Sequence, residues 1–291
     1  MARFIQEHQA INAPDNQPWH DIRPIQTATE HKTRATHRGN HTMNTYNIMF
    51  HDVVDAYTRS GFQNKAAHPY KHSTQQFEQY LHTLTSLNIK ACTINDLDPA
   101  SPENRMLFTF DDGGLSFLHA ADFLERFEIR GHFFITTNRI GAPYFIDKSG
   151  IRNLLARGHI IGSHSHTHPH PFCRLTAERQ KDEFMTSKHI LEDITGERCI
   201  TGSIPGGDID SSTYVNIANL GYDYIFTSEI TTKQIDVEGT SYLGRICPKS
   251  HVAASKLPGM LSNKGLVQLA MLRKFKCIIK SLLSIAPAHK A

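Results

Sequence analysis

Thr109-Phe110-Asp111-Asp112-Gly113-Gly114 is the stretch on which the reading of this chain turns. It follows an apolar run, Met106-Leu107-Phe108, so two carboxylates stand side by side where a buried strand ends. Such a pair is costly without a compensating cation, because each charge loses water and repels the other. A metal ion there would bind one carboxylate and leave the other as a base.

Working outward, short β-branched and apolar runs at 46–51, 89–94, 106–111, 132–136, 159–164, 200–205, 223–228 and 242–247 read as strands. Helical patterns separate them. Ser73 opens a capping box with Gln76, and Phe77, Tyr80, Leu81, Leu84 and Leu87 form an apolar stripe behind it. Phe117, Ala121, Leu124 and Phe127 make a second stripe. Phe184, Leu191 and Ile194 mark a third, closed by Gly196, and Gly221 closes a fourth. Seven or eight β–α units predict a parallel sheet, either a barrel or a doubly wound fold.

Three further clusters fall at strand ends, where a βα barrel builds its site. His164-Ser165-His166-Thr167-His168-Pro169 follows Ile160-Ile161-Gly162-Ser163, and neutral imidazoles at 164 and 168 suit zinc and similar ions. Ser203-Ile204-Pro205-Gly206-Gly207 follows another strand, and His51 closes the strand Asn47-Ile48-Met49-Phe50. Two carboxylates and three histidines on one rim are the parts of a metal hydrolase.

The pairing of TFDDG at 109–113 with HSHTHP at 164–169 resembles the polysaccharide deacetylases with a NodB-homology domain, carbohydrate esterase family 4. The resemblance spans roughly residues 45–250 and implies a distorted (β/α)7 barrel. It implies Asp111 as base, Asp112, His164 and His168 as ligands of one divalent metal, and the N–H of Gly206 as oxyanion donor. Zinc is the first choice, with cobalt, nickel or manganese fitting the same ligands.

Two departures stand out. The Arg usual two residues before Pro205 is replaced by Ser203, and Leu243 is followed by Gly244-Arg245 where the family carries Leu-x-His. Phe50-His51 resembles the early strand-end Tyr-His of deacetylases of biofilm poly-N-acetylglucosamine, which makes His51 the expected general acid. Arg245 is the candidate to take the missing arginine's place beside Asp111. The expected reaction is deacetylation of an N-acetylated sugar, an intermediate of glycan assembly. The same scaffold would also suit a cyclic imide or formamide, or a silent carbohydrate-binding protein.

Composition narrows the setting. With 31 Lys and Arg against 28 Asp and Glu, the 291-residue chain has net charge +3, so no nucleic-acid partner is expected. Five cysteines without a CxxC pair argue against a disulfide framework and against a thiolate zinc site. The first residues carry no apolar signal core, and no apolar run is long enough to span a bilayer, so a cytoplasmic location is expected.

Three segments follow from this reading. Residues 1–43 are polar and aperiodic and read as disordered or extraneous. Residues 44–255 form the barrel. Residues 256–291 hold a basic amphipathic helix that either packs on the barrel or meets a membrane surface at the inner face.

Overall fold

The computed structural model describes residues 44–55, 59–98, 101–207 and 209–285, the side chains of 276–285 excepted. The segment 1–43 lies outside the described residues.

Eleven strands are present among the described residues. They are β1 (Thr45–Phe50), β2 (Asp52–Val54), β3 (Lys71–Ser73), β4 (Lys90–Ala91), β5 (Arg105–Phe110) and β6 (His132–Ile135) in the first half. The second half has β7 (Ile160–Ser163), β8 (Thr201–Ser203), β9 (Tyr224–Phe226), β10 (Gln234–Val237) and β11 (Thr240–Leu243). The main sheet runs β1-β5-β6-β7-β8-β9-β11-β10, and every neighbouring pair up to β11 is parallel. On the edge of β5 away from β1, β4 pairs below (Lys90 opposite Arg105) and β6 above (Thr109 opposite His132).

The sheet curls because its ends are laced together. Ile246, just past β11, exchanges backbone bonds with β1: Met49 N to Ile246 O at 2.9 Å and Ile246 N to Asn47 O at 2.8 Å. The Asn47 side chain adds a bond to Gly244 O at 2.8 Å. The result is the distorted barrel that the sequence implied, with parallel strands all ending on one rim.

Helices α1 (Thr74–Thr85), α2 (Phe117–Arg126), α3 (Lys148–Ala156), α4 (Ala177–Thr195), α5 (Ser211–Ile217), α6 (Leu257–Leu261) and α7 (Asn263–Ile285) complete the described elements. Ser73 caps α1 by accepting the Gln76 N–H, satisfying a donor that a helix start leaves open. Gly196 ends α4 with φ +73°, a left-handed turn that a Cβ would strain. Gly221 does not end α5 as expected. That helix stops at Ile217, and Asn219 takes the left-handed turn two residues later (φ +63°).

The core lies between the curled sheet and its helices. Phe50, Phe77, Phe110, Phe117 and Phe133 are fully buried and interlock, with Phe110 and Phe133 ring centres 4.9 Å apart and Phe50 and Phe77 at 5.0 Å. Aromatic pairs of this kind add about 0.5–1.5 kcal/mol each beyond their burial. This packing fixes β1 and β5, the two strands that end in His51 and Asp111.

The antiparallel hairpin β10–β11 and the short pair β2–β3 are not in the sequence reading. Residues 234–237 are exposed or half-buried, so they lack the apolar alternation that reveals a strand.

Candidate active site

Each strand-end cluster arrives on the rim through a specific local device. After β5 the chain must turn sharply, and Asp112 and Gly113 do so with φ of +85° and +87°. Asp112 has a Cβ, so this conformation costs on the order of 1–3 kcal/mol and persists only because neighbours hold it. Gly114 cannot carry a side chain there, since a Cβ would lie 2.3 Å from Asp52 Oδ1 and 2.6 Å from Ser60 Oγ. Asp52 pins the same turn: it accepts from Ser116 Oγ at 2.9 Å and pairs with Lys71 Nζ at 2.8 Å.

The histidine loop after β7 uses two more left-handed residues, Ser165 (φ +62°) and His168 (φ +58°). Glu183 of α4, buried beneath the loop, holds it in shape. Its carboxylate accepts the N–H groups of His166 (2.9 Å) and Thr167 (2.6 Å) and the Thr167 hydroxyl (2.6 Å). Ser165 Oγ accepts the His168 N–H at 3.0 Å. The loop is therefore tied at four points.

These turns bring Asp112, His164 and His168 to one spot. Their ligand atoms all lie within 4.8 Å of one another. His164 Nε2 is 3.3 Å and His168 Nε2 3.4 Å from Asp112 Oδ1. His164 Nδ1 sits 3.0 Å from Ser203 O, which fixes the proton on Nδ1 and leaves the Nε2 lone pair facing the cluster. Two imidazole nitrogens and one carboxylate oxygen, partly dehydrated and with room beside them, fit a divalent cation of the zinc type.

Asp111 faces the same spot but is committed elsewhere. Arg245, completely buried, donates to it from both terminal nitrogens: Nη1 to Oδ1 at 2.7 Å and Nη2 to Oδ2 at 2.8 Å. Nη2 also donates to Ser203 Oγ at 2.7 Å, and Nε donates to Thr227 O at 3.0 Å. Ser203 in turn donates to Asp111 Oδ2 at 3.1 Å. Thus a guanidinium from just past the last strand fills the place beside Asp111, with Ser203 as a small bridge. Burial alone would push the Asp111 carboxyl up, but Arg245 and then His164 outweigh it and hold it below its ordinary value. Asp112, also buried, is held well below the carboxylate range by His51 and the two neighbouring imidazoles.

His51 lies across the cluster. Its ring rests on Tyr70 with centres 4.3 Å apart, and Lys249 Nζ sits 3.0 Å from the centre of the Tyr70 ring. Its buried Nδ1 has no hydrogen-bond partner among the described residues. Burial lowers its pKa, opposed by the carboxylates of Asp112 and Asp111. For His168 burial works in the same direction, but the Asp112 carboxylate wins and raises its pKa.

A cleft of about 310 Å³ joins these groups, lined by His51, Asp111, Asp112, His164, His168 and Gly206 among others. Phe62 and Tyr70 supply aromatic walls. His170 also lines it, packed so closely on Gly206 that a Cβ there would lie 2.4 Å from its Nδ1. The sequence reading did not assign His170 to the site. His166 does turn away, with Nδ1 2.9 Å from Thr137 Oγ1. Glu183 and Asp52 were missed, since a carboxylate inside a charged helix or after a histidine carries no local sign of what it will hold.

Comparison with known proteins agrees with this geometry. A family model described as "Polysaccharide deacetylase" matches residues 98–225, which include both the DDGG and histidine motifs. No curated protein sequence matches the chain. Among solved structures, the polysaccharide deacetylase BC0361 from Bacillus cereus superposes with TM-score 0.61 at 17% identity, over 75% of this chain and 69% of its own. IcaB from Ammonifex degensii gives TM-score 0.60 at 19% identity, covering 75% and 96%. The deacetylase PplD of Streptococcus pyogenes, solved with acetate, gives 0.61 at 16%, covering 76% and 99%. At such identities the superpositions speak for the fold, and the family match and the motifs carry the rest. Residues 98–225 thus match the polysaccharide deacetylase family model on a fold shared with solved deacetylases, which supports a carbohydrate deacetylase, a hydrolase acting on carbon–nitrogen bonds.

Proposed function

We propose that the protein is a metal-dependent enzyme that removes acetyl groups from an N-acetylated sugar, an intermediate of glycan assembly, in the cytoplasm. The observation that carries the metal dependence is the convergence of Asp112 Oδ1, His164 Nε2 and His168 Nε2 beside an Asp111 that is held out of the ligand set by Arg245. A divalent cation, zinc as first choice, would supply Lewis acidity at this point, acidifying water and polarising the acyl carbonyl.

The remaining chemistry falls to the chain's own groups. Asp111 accepts the proton of the attacking water at a carboxylate oxygen. The Arg245 fork keeps it ionised and oriented, so its basicity is low while its geometry is fixed. Gly206 stands on the wall of the cleft, and its backbone N–H is the donor assigned to the oxygen on which charge develops. His51 gives a proton to the departing nitrogen, which an amine leaving group requires. Phe62, on the cleft wall, offers apolar surface to a sugar ring.

Acetate release from an N-acetylated oligosaccharide, measured before and after chelation and after zinc is restored, tests the reading. Loss on chelation with recovery on zinc is expected. Activity untouched by chelators would remove the metal from the mechanism. Within it, His51→Ala should slow amide hydrolysis far more than hydrolysis of an activated ester, whose leaving group needs no proton. Equal losses on both would make His51 structural.

A further inference from the structure

Helix α7 begins on the domain and presents a second, unpartnered face. Leu266 and Leu269 pack against the core, and Arg273 fastens the same side by donating to Gly207 O at 2.8 Å and pairing with Glu229 Oε1 at 2.9 Å. Gly207 lines the catalytic cleft, so the Arg273 turn stands at its edge. The opposite side carries Val267, Met271, Leu272 and Phe275, each 54–65% exposed. Positions 267, 271 and 275 recur every four residues and form one stripe along the helix. Lys264 and Lys274 fall on or beside that stripe by the same geometry.

The charge of this region has one sign. From Gly239 to Ala291 the chain has no Asp or Glu, whereas the 23-residue helix carries Lys264, Arg273, Lys274, Lys276 and Lys280. Large exposed apolar side chains among cations, with no acid between them, match an interface that is apolar within and anionic at its surface. A second copy docking face to face would bring these cations together, which disfavours it. Among the described residues, no helix is long and apolar enough to cross a membrane.

We infer that α7 docks the enzyme on an anionic lipid bilayer, with the catalytic cleft at the headgroup level. Phe275 and Met271 enter the interfacial layer, Lys264 and Lys274 meet lipid phosphates, and Arg273 keeps the helix fixed to the cleft wall. The cleft then receives N-acyl sugars carried on a lipid rather than on a soluble nucleotide. This last step rests on the deacetylase reading above, while the docking itself does not.

The test uses the full chain and two sets of vesicles, one of phosphatidylcholine and one of equal parts phosphatidylcholine and phosphatidylglycerol. Cosedimentation with the anionic vesicles only, weakened by salt, is expected. The double variant Met271→Ser/Phe275→Ser should bind at least about tenfold more weakly, and Lys264→Gln/Lys274→Gln should lose most of the preference for anionic lipid. Both should keep the wild-type melting temperature and release acetate from a soluble N-acetyl oligosaccharide at the wild-type rate. Should the serine variant fail to fold, the glutamine variant alone carries the test. No binding to anionic vesicles, or equal binding by wild type and variants, overturns the inference. So does a stable dimer that the serine pair converts to monomer, because the face then belongs to a second copy. Failure of the wild type to release acetate would instead strike the deacetylase reading and leave the vesicle result standing.

Discussion

The rim of the barrel and its interior both hold buried histidines, and the two sets behave in opposite ways. Inside, each imidazole is paired with the backbone around it. His132 Nδ1 is 3.1 Å from Phe108 O while Nε2 accepts the Ile94 N–H at 2.9 Å, and His72 Nε2 is 3.1 Å from Pro248 O. His159 Nδ1 accepts the Gly131 N–H at 3.0 Å, and its Nε2 meets Glu125 at 3.0 Å. On the rim, His164 and His168 turn Nε2 toward a shared carboxylate, and His164 Nδ1 is tied to Ser203 O. His164 is as buried as the interior set while His168 is only partly so, and burial therefore does not mark function. Two ring nitrogens converging on one carboxylate oxygen do.

The comparison can be broken first at Asp111. Asp111→Asn should lower turnover by about 10²–10⁴-fold while metal binding persists, because the amide cannot take the water's proton. Acetate release and metal content measured on the same preparation decide it. If the variant lost metal instead, the roles of the two aspartates would be reversed.

Next comes Arg245. Arg245→Met strips a fully buried carboxylate of its bidentate partner, and removing one member of such a pair costs about 3–5 kcal/mol. A fall in unfolding free energy of that size, read from denaturant titration, is expected. A change under about 1 kcal/mol would mean that Asp111 becomes protonated at little cost when Arg245 is lost.

Glu183→Gln is gentler. The amide keeps the shape but replaces two acceptor oxygens with one, loosening the loop that carries His168. A loss of about 10–100-fold in metal affinity is expected from such outer support, with stability changing less. Isothermal titration with zinc measures it, and wild-type affinity would release Glu183 from this role.

The interior histidines give the smallest effect, which depends on pH. Burial holds His72 and His132 down to about 4, below the ordinary 6.5. The folded state therefore binds fewer protons than the unfolded chain in this range. Stability should be complete above pH 6.5 and fall as pH drops toward 4, by on the order of 1–2 kcal/mol per group at pH 5. Denaturation at pH 7.5, 6 and 5 (chosen to bracket roughly that window) follows the decline. His132→Gln should flatten it, and an unchanged slope would remove His132 as a source.

Much of this arrangement was legible in the chain itself. Strands β5 and β7 announce themselves by apolar or β-branched runs that stop at Asp111 and His164, and a βα barrel collects such ends on one face. Ser73 and Gly196 mark helix ends by local chemistry, and the structure uses both. Arg245 could be suspected only because Ser203 stands where the family has its arginine, and the fold brings the two within 2.7 Å.

Other features left no local mark. Glu183 lies in a charged helical run like many solvent-facing ones, and its burial arises from a loop seventeen residues earlier. The edge strand β10 lacks alternation because both its faces are largely exposed. His170 reads as one more residue of a histidine-rich loop until its ring packs against Gly206. Long-range contacts decide all three, and period and composition register only neighbours.

Zinc stoichiometry in rim and interior variants tests the central claim most directly. Wild type and the interior variant His132→Gln should each bind one zinc per chain, and Asp112→Asn, His164→Ala and His168→Ala should each lose it while remaining folded. If the three rim variants bound zinc as tightly as wild type, the Asp112–His164–His168 cluster would not be the metal site, and the proposed mechanism would fall with it.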